Sequence, residues 1–321
     1  MKNLRRTLTG RPRQLGFLLL LAALLLAGAA FWGGTKVQAN HPVLVEGNCD
    51  SPVPGTTTGV TAGACGDYDG DGRIGTAEDT DGADRIFGTL NAALGPGTGA
   101  AAGTGANHNG LILIVASGRF AETLYIGEAT TAGGGGVANP GNVTLEAAPG
   151  VEANIDAVFS GDPAGNNTLR QTQPGIVIYY GSGFQNRTVT LRNLKIRNYT
   201  DGVQARGFSR VNIDNCVFEN NLEDGLLAAE SARVAVSNSQ FTANGRRINE
   251  AVNNTTPFGF GIRAIQNSQL RIRNTTISHS LRAGILQADA ANVAVYRVKT
   301  YFNAPDLLGA VTIATDPNFS Q

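Results

Sequence analysis

Residues 67–79 read DYDGDGRIGTAED. Asp67, Asp69 and Asp71 alternate along the chain, so a tightly wound loop turns their carboxylates toward one point, and Glu78 brings two more oxygens to it. Gly72 permits the sharp bend, and Arg73 offers its carbonyl as a main-chain ligand. Ile74 then supplies an apolar anchor, and Gly75 leaves room for a water. A hard cation of calcium's size takes its oxygens in this order, with acids at positions 1, 3 and 5, a carbonyl at 7 and a bidentate Glu at 12. The spacing therefore predicts a Ca2+ site with Asp67, Asp69, Asp71, Arg73 and Glu78 as ligands.

The charge around this loop agrees. Residues 40–94 also contain Glu46, Asp50, Asp79, Asp81 and Asp84, against only Arg73 and Arg85. The whole chain balances 25 Lys and Arg with 25 Asp and Glu, but many of the cations sit at the start. Lys2, Arg5, Arg6, Arg11 and Arg13 precede the apolar run GFLLLLAALLLAGAAFW (16–32), and TKVQA follows it. That order is the grammar of a secretory signal, cut near Ala39, which leaves residues 40–321 net acidic. No later segment is apolar and long enough to span a bilayer. A net acidic mature chain argues against a nucleic-acid partner, and the expected destination is extracellular or periplasmic. In an oxidising compartment Cys49 and Cys65 are close enough in sequence to pair and brace the approach to the acidic loop.

The elements that must carry these groups come from a repeat. Similar segments begin at Val189, Val211, Val234, Leu270 and Val293, at separations of 22, 23, 36 and 23 residues. Gly202, Gly225, Gly261 and Gly284 keep step, and the long interval places an insertion at 246–258. A fixed period of this size marks stacked units, none of which buries its apolar face alone. Within a unit, apolar and polar residues alternate as in strands. Val211 and Ile213 point one way, Cys216 and Phe218 follow after a turn, and Leu226 follows the glycine. Three short strands per coil of about 23 residues result, with Cys216 as an inward core thiol.

Asn193, Asn215, Asn238 and Asn274 occupy the turn between the first two strands, and Arg297 breaks the column. Asn tolerates the left-handed backbone of a sharp corner, and its amide can bond to the amide one coil away. The column resembles the asparagine ladder of right-handed parallel β-helix proteins, the pectin-lyase-like architecture, over roughly residues 110–321. LILIVASGRFAETLYI (111–126), GNVTLEAAPGVEANIDA (141–157) and GIVIYYG (175–181) fit the same pattern. The resemblance implies an all-β fold: a right-handed parallel β-helix over 96–321, preceded by a signal peptide (1–39) and an N-terminal segment (40–95). In that segment DRIFGTLNAAL (84–94) sets Ile86, Leu90 and Leu94 on one face, as a short helix capping the first coil would. The loop at 67–78, taken alone, resembles an EF-hand or dockerin loop standing without its helices.

In the family that the β-helix resembles, hydrolases and lyases place carboxylates, or Lys and Arg with calcium, on the outer face of the glycine-led strand and in its flanking turns. The outward positions here are Gln204/Arg206, Leu227/Ala229, Arg263/Ile265 and Leu286/Ala288, with neither a carboxylate nor an aromatic among them. Asp201 and Asp224, in the turns just before, are the candidates for a catalytic pair. Adjacent strands lie about 4.8 Å apart, and a glycosidase pair needs its carboxyls within roughly 5–10 Å. Asp-Gly is equally ordinary turn chemistry. His41, His108 and His279 stand apart from any matching acid or nucleophile. Leu227, Ile265 and Leu286, rimmed by Arg206 and Arg263, suggest an apolar partner surface or a place where the insertion at 246–258 folds down.

Two functions stay open. One is a secreted, calcium-binding β-helix with a structural, adhesive or surface-binding role toward an extracellular polysaccharide or protein. Its last segment, LLGAVTIATDPNFSQ (307–321), carries no amphipathic helix pattern, which leaves two ways to close the last rung: the tail itself, or end-to-end stacking on another molecule. The other is a polysaccharide lyase or glycoside hydrolase of the pectin-lyase-like type. The calcium expectation is checked by melting: a chelator should lower Tm, added Ca2+ should restore it, and Asp67→Ala should abolish the response.

Overall fold

An inward side chain in so short a coil needs apolar neighbours one coil above and one below, so successive coils must keep strict register. The computed structural model describes residues 43–46, 57–58, 73–74, 86–94, 110–127, 142–157, 173–245 and 259–315, all within the compact unit His41–Gln321. Three parallel sheets carry the stack. The first joins, in order, Val43–Val45, Leu111–Ile114, Val143–Ala147, Thr188–Arg192, Arg210–Asp214, Arg233–Ser237, Gln269–Arg273, Asn292–Tyr296 and Thr312–Ile313. The second joins Gly118–Phe120, Ala153–Asp156, Leu194–Arg197, Val217–Glu219, Gln240–Thr242, Thr276–Ser278 and Lys299–Tyr301. The third joins Leu124–Gly127, Ile176–Tyr180, Val203–Gly207, Leu226–Ala228, Phe260–Ala264, Ala283–Gln287 and Leu307–Leu308.

The inward columns fall where the repeat puts them. Val189, Val211, Val234, Leu270 and Val293 are direct register partners. So are Ile196, Phe218, Phe241 and Ile277, and Val203, Leu226, Ile262 and Ile285. All are buried. Register sets like on like: the Phe218 and Phe241 rings stack with centroids 4.5 Å apart and planes within 6°. Cys216 is a free thiol 1 % exposed, its Sγ lying 3.5 Å from the Leu191 carbonyl and 3.4 Å from that of Asp214. Burial pushes its pKa up to about 12, which keeps it protonated and unreactive.

Each coil turns on left-handed residues. The first corner uses Asn193, Asn215, Asn238, Asn274 and Arg297, with φ between 49° and 57°. Asn215 Nδ2 donates to Asn193 Oδ1 at 2.9 Å and Asn274 Nδ2 to Asn238 Oδ1 at 3.4 Å. Between these pairs the ladder is interrupted, because Asn238 Nδ2 donates instead to Asp214 Oδ1 at 2.8 Å. A second polar column, not anticipated from the sequence, follows the second corner at Asn221, Asn244, Ser280 and Asn303. Asn244 Oδ1 accepts from both the main chain and the side-chain amide of Asn221, at 3.2 and 3.0 Å, and Asn303 Oδ1 accepts from Ser280 N at 2.8 Å. Asn221 and Asn244 are fully buried. They supply the partners that main-chain groups in this turn need once the strand ladder stops.

The head of the stack differs from expectation in two ways. Val43–Val45, upstream of the expected β-helix boundary, is itself a rung of the first sheet, paired with Leu111–Ile114. The helix spans Leu90–Leu94, shorter than the expected 84–94. Thr89 sets its start: the hydroxyl accepts from Ala92 N at 3.1 Å, as an N-cap does. Glu122 takes the Leu90 and Asn91 amides at 2.9 and 2.8 Å. Upstream, Phe87 is extended and bridges Val45. Ile86, Leu90 and Leu94 are buried as the pattern required. In the region of the expected calcium loop, Arg73–Ile74 forms a strand antiparallel to Thr57–Thr58. Asp67, Asp69, Asp71 and Glu78 lie outside the described residues, as do the signal segment, Cys49, Cys65, His41, His108 and the insertion at 246–258.

The glycine column is required by closeness. A Cβ on Gly225 would lie 2.6 Å from the Gly261 carbonyl oxygen and 2.7 Å from the Phe241 ring, whereas one on Gly183 meets nothing within 4 Å. Gly225→Ala should therefore destabilise the fold by about 1–3 kcal/mol, and Gly183→Ala should be close to neutral. Denaturant unfolding of the two variants checks this.

Candidate functional site

Asp201 and Asp224 both lie in the turn that leads into the third sheet, one coil apart. The backbone here has left the second-sheet ladder, and its amides need acceptors. Asp201 Oδ1 accepts from Asp224 N at 3.1 Å, and Asp201 Oδ2 from Gln204 Nε2 at 2.7 Å. One coil on, Asp224 Oδ1 accepts from Phe260 N at 3.1 Å and Asp224 Oδ2 from Arg263 Nε. Each aspartate thus clips its own turn to the next. Asp201 is 2 % exposed and Asp224 is 0 % exposed, so the structure brings the two candidates together beneath the surface.

Burial sets their electrostatics. Desolvation raises the pKa of Asp201, opposed by the Gln204 hydrogen bond and the charge of Arg263. Desolvation and then the Asp201 charge push Asp224 up to about 7, with Arg263 pulling the other way. Glu223, half-buried beside them, is also raised, first by desolvation and then by Asp201. Three carboxyls therefore share a small region with the guanidinium groups of Arg263 and, further off, Arg206.

Outside this pair lies the outer face of the third sheet. Val177, Gln204, Leu227, Arg263 and Leu286 form one column, and Tyr179 is the register partner of Arg206. Arg206 Nε lies 3.4 Å from Glu230 Oε1. Tyr179 is exposed, so the face has the aromatic that four coils of sequence seemed to lack. The signal was the doublet Tyr179–Tyr180, which alternation splits into one outward ring and one buried one. The expected apolar patch is reduced, because Leu227 is only 7 % exposed while Ile265 and Leu286 are half-buried. His279 occupies a left-handed corner, at φ 57°, against the rings of Tyr301 and Phe302.

Comparison with known proteins bears on the fold. The family described as a right handed beta helix region matches residues 174–313. No curated protein matches the chain. A solved pectate lyase, Pel9A, is similar over 63% of this chain and 68% of its own, at 14% identity and a TM-score of 0.32. With the three parallel sheets, the family match gives the fold as a right-handed parallel β-helix.

The carboxyl pair has a pH signature. Asp224 holds its proton up to about pH 7 in the folded chain, against 3.8 as its ordinary value. Between those values the folded state binds a proton that the unfolded state has lost, so stability falls as pH rises through the window. Above about pH 7, where the Asp224 carboxylate is charged, Asp224→Asn should lower stability, since Arg263 loses a charged partner. It should also flatten the decline from about pH 4 to about pH 7, read from Tm across buffers.

Proposed function

We propose that the chain is a secreted, calcium-stabilised β-helix that works by binding and not by turnover, in a structural, adhesive or surface-binding role. The observation that carries this reading is that Asp201 and Asp224 are buried and engaged by the fold itself. Every oxygen of the two carboxylates already accepts from a donor of the protein itself. A general acid or base must reach the proton it transfers, and buried oxygens engaged by the next turn do not. Ca2+ held by Asp67, Asp69, Asp71, Arg73 and Glu78 would brace the segment leading into the Phe87 bridge and the Leu90–Leu94 helix. The cation is then a fastener for the first coil, suited to a calcium-rich exterior. At the other end Phe302 is 75 % and Ile313 72 % exposed, which supports association of last coils end to end.

A second reading, a polysaccharide lyase or glycoside hydrolase, draws on the raised pKa of Asp224 beneath a face that carries Tyr179 and Arg206. Perturbed carboxyls cluster at active sites, although structural networks perturb them too. Incubation with acidic and neutral polysaccharides, followed by reducing ends and by absorbance of unsaturated sugars, separates the two. No turnover is expected. Turnover that disappears in the Asp201→Asn/Asp224→Asn double variant would replace the binding reading with the enzymatic one.

A further inference from the structure

The outer face of the first sheet carries a groove that the third-sheet site does not use. Arg210 and Arg233 are direct register partners on neighbouring strands, so their side chains leave the sheet about 4.8 Å apart. Like charges set opposite one another destabilise a sheet. Among the described residues neither arginine has an ion-pair partner. With Arg271 they wall a groove of about 410 Å³ that has Ala235 in its lining. A second groove of about 270 Å³ shares Arg210, Arg233 and Gln269 and is bounded by Phe208, an exposed ring at 39 %.

The lining selects a ligand class. Guanidinium groups are planar forks that match carboxylate or sulfate oxygens two at a time. An exposed ring offers a flat apolar surface to the C–H face of a sugar. Two stacked cations with no acid between them gain most from an anion that bridges both. We infer that this groove binds an anionic polysaccharide, a chain bearing carboxylate or sulfate groups, with Arg210 and Arg233 as its anion-binding residues. The inference rests on the surface-binding reading and deepens it by naming a ligand and a face. The groove lies on a different sheet from Asp201 and Asp224, which makes the two separable.

The test is equilibrium binding of the full secreted chain to polygalacturonate, dextran sulfate, neutral dextran and polyuridylate. The two anionic polysaccharides should bind and neutral dextran should not. Arg210→Gln/Arg233→Gln should weaken that binding roughly tenfold or more, as loss of bidentate charge-assisted contacts does. The charge-matched pair Lys195→Gln/Lys299→Gln, on the second sheet, should leave it nearly unchanged. Because the replaced arginines repel each other, Arg233→Gln should melt at or above the parent Tm at low salt, so lost binding would not mean lost fold. Equal binding of neutral dextran, or unchanged affinity in the groove variant, overturns the groove while leaving surface binding standing. Tighter binding of polyuridylate than of either glycan would make the groove a nucleic-acid site and overturn the inference. Binding of none of the polymers by the parent chain would remove the groove and weaken the surface-binding reading together.

Discussion

Register between coils is the constraint on which the rest of this protein depends. A single coil holds too few apolar side chains to form a core, and each of them depends for cover on its counterparts one strand spacing away. A slip of one residue would turn a whole strand's inward side chains outward. The chain guards against this at several points in every coil. Like residues stack in the inward columns, with Phe218 on Phe241 the tightest case. Left-handed residues set each corner. The glycine column allows neighbouring backbones to approach more closely than any side chain would permit. These devices act on the same register and reinforce one another.

The buried polar groups follow from that constraint. Where the second sheet ends and the chain swings toward the third, ladder hydrogen bonds stop while the backbone stays buried. Asn221 and Asn244 satisfy part of this turn, and Asp201 and Asp224 satisfy the rest by accepting from the amides one coil on. The same geometry explains why the aspartates titrate high. Capping the next turn takes them out of water and sets one carboxyl close to another, and Arg263 offsets only part of the cost. A carboxyl pair at this place is therefore what the fold asks for before any substrate is considered.

Much of this was legible in the sequence, for physical reasons that also mark where legibility stops. Period and alternation are direct records of register, so the inward columns could be aligned residue by residue. The asparagines of the first corner were visible because left-handed geometry restricts residue type. The column of Asn221, Asn244, Ser280 and Asn303 was hidden because its members differ and lie one residue past another corner column. The outward Tyr179 was hidden because its coil precedes the clearest repeats. The burial of Asp201 and Asp224 could not be read at all, since Asp-Gly looks the same in an open turn and in a clipped one. The helix start failed for a local reason: the spacing of Ile86, Leu90 and Leu94 suits a helix face, yet Ile86 is buried before the helix, next to the Phe87 bridge to Val45.

The second sheet shows how this fold treats charges that are purely structural. There Asp156, fully buried, is held by Arg119 at 2.9 Å and by Arg197 at 2.8 Å, and it also accepts from Asn198 Nδ2. Lys195 and Arg197 share Glu219. Opposite signs meet on adjacent coils, so the ladder neutralises itself. A groove of about 680 Å³ lies beside it, but Lys195 and Arg197, the cations in its wall, are already engaged. On the first sheet Arg192 has Glu146, at 3.7 Å, and Asp214 is taken up by Ser237 and Asn238. Arg210 and Arg233 break this rule. A stacked pair of unneutralised cations is unfavourable for the strands that carry it, and the neighbouring sheet shows that a carboxylate one coil away would remove the cost. Their persistence in register beside an exposed ring is what an anion supplied from outside would explain.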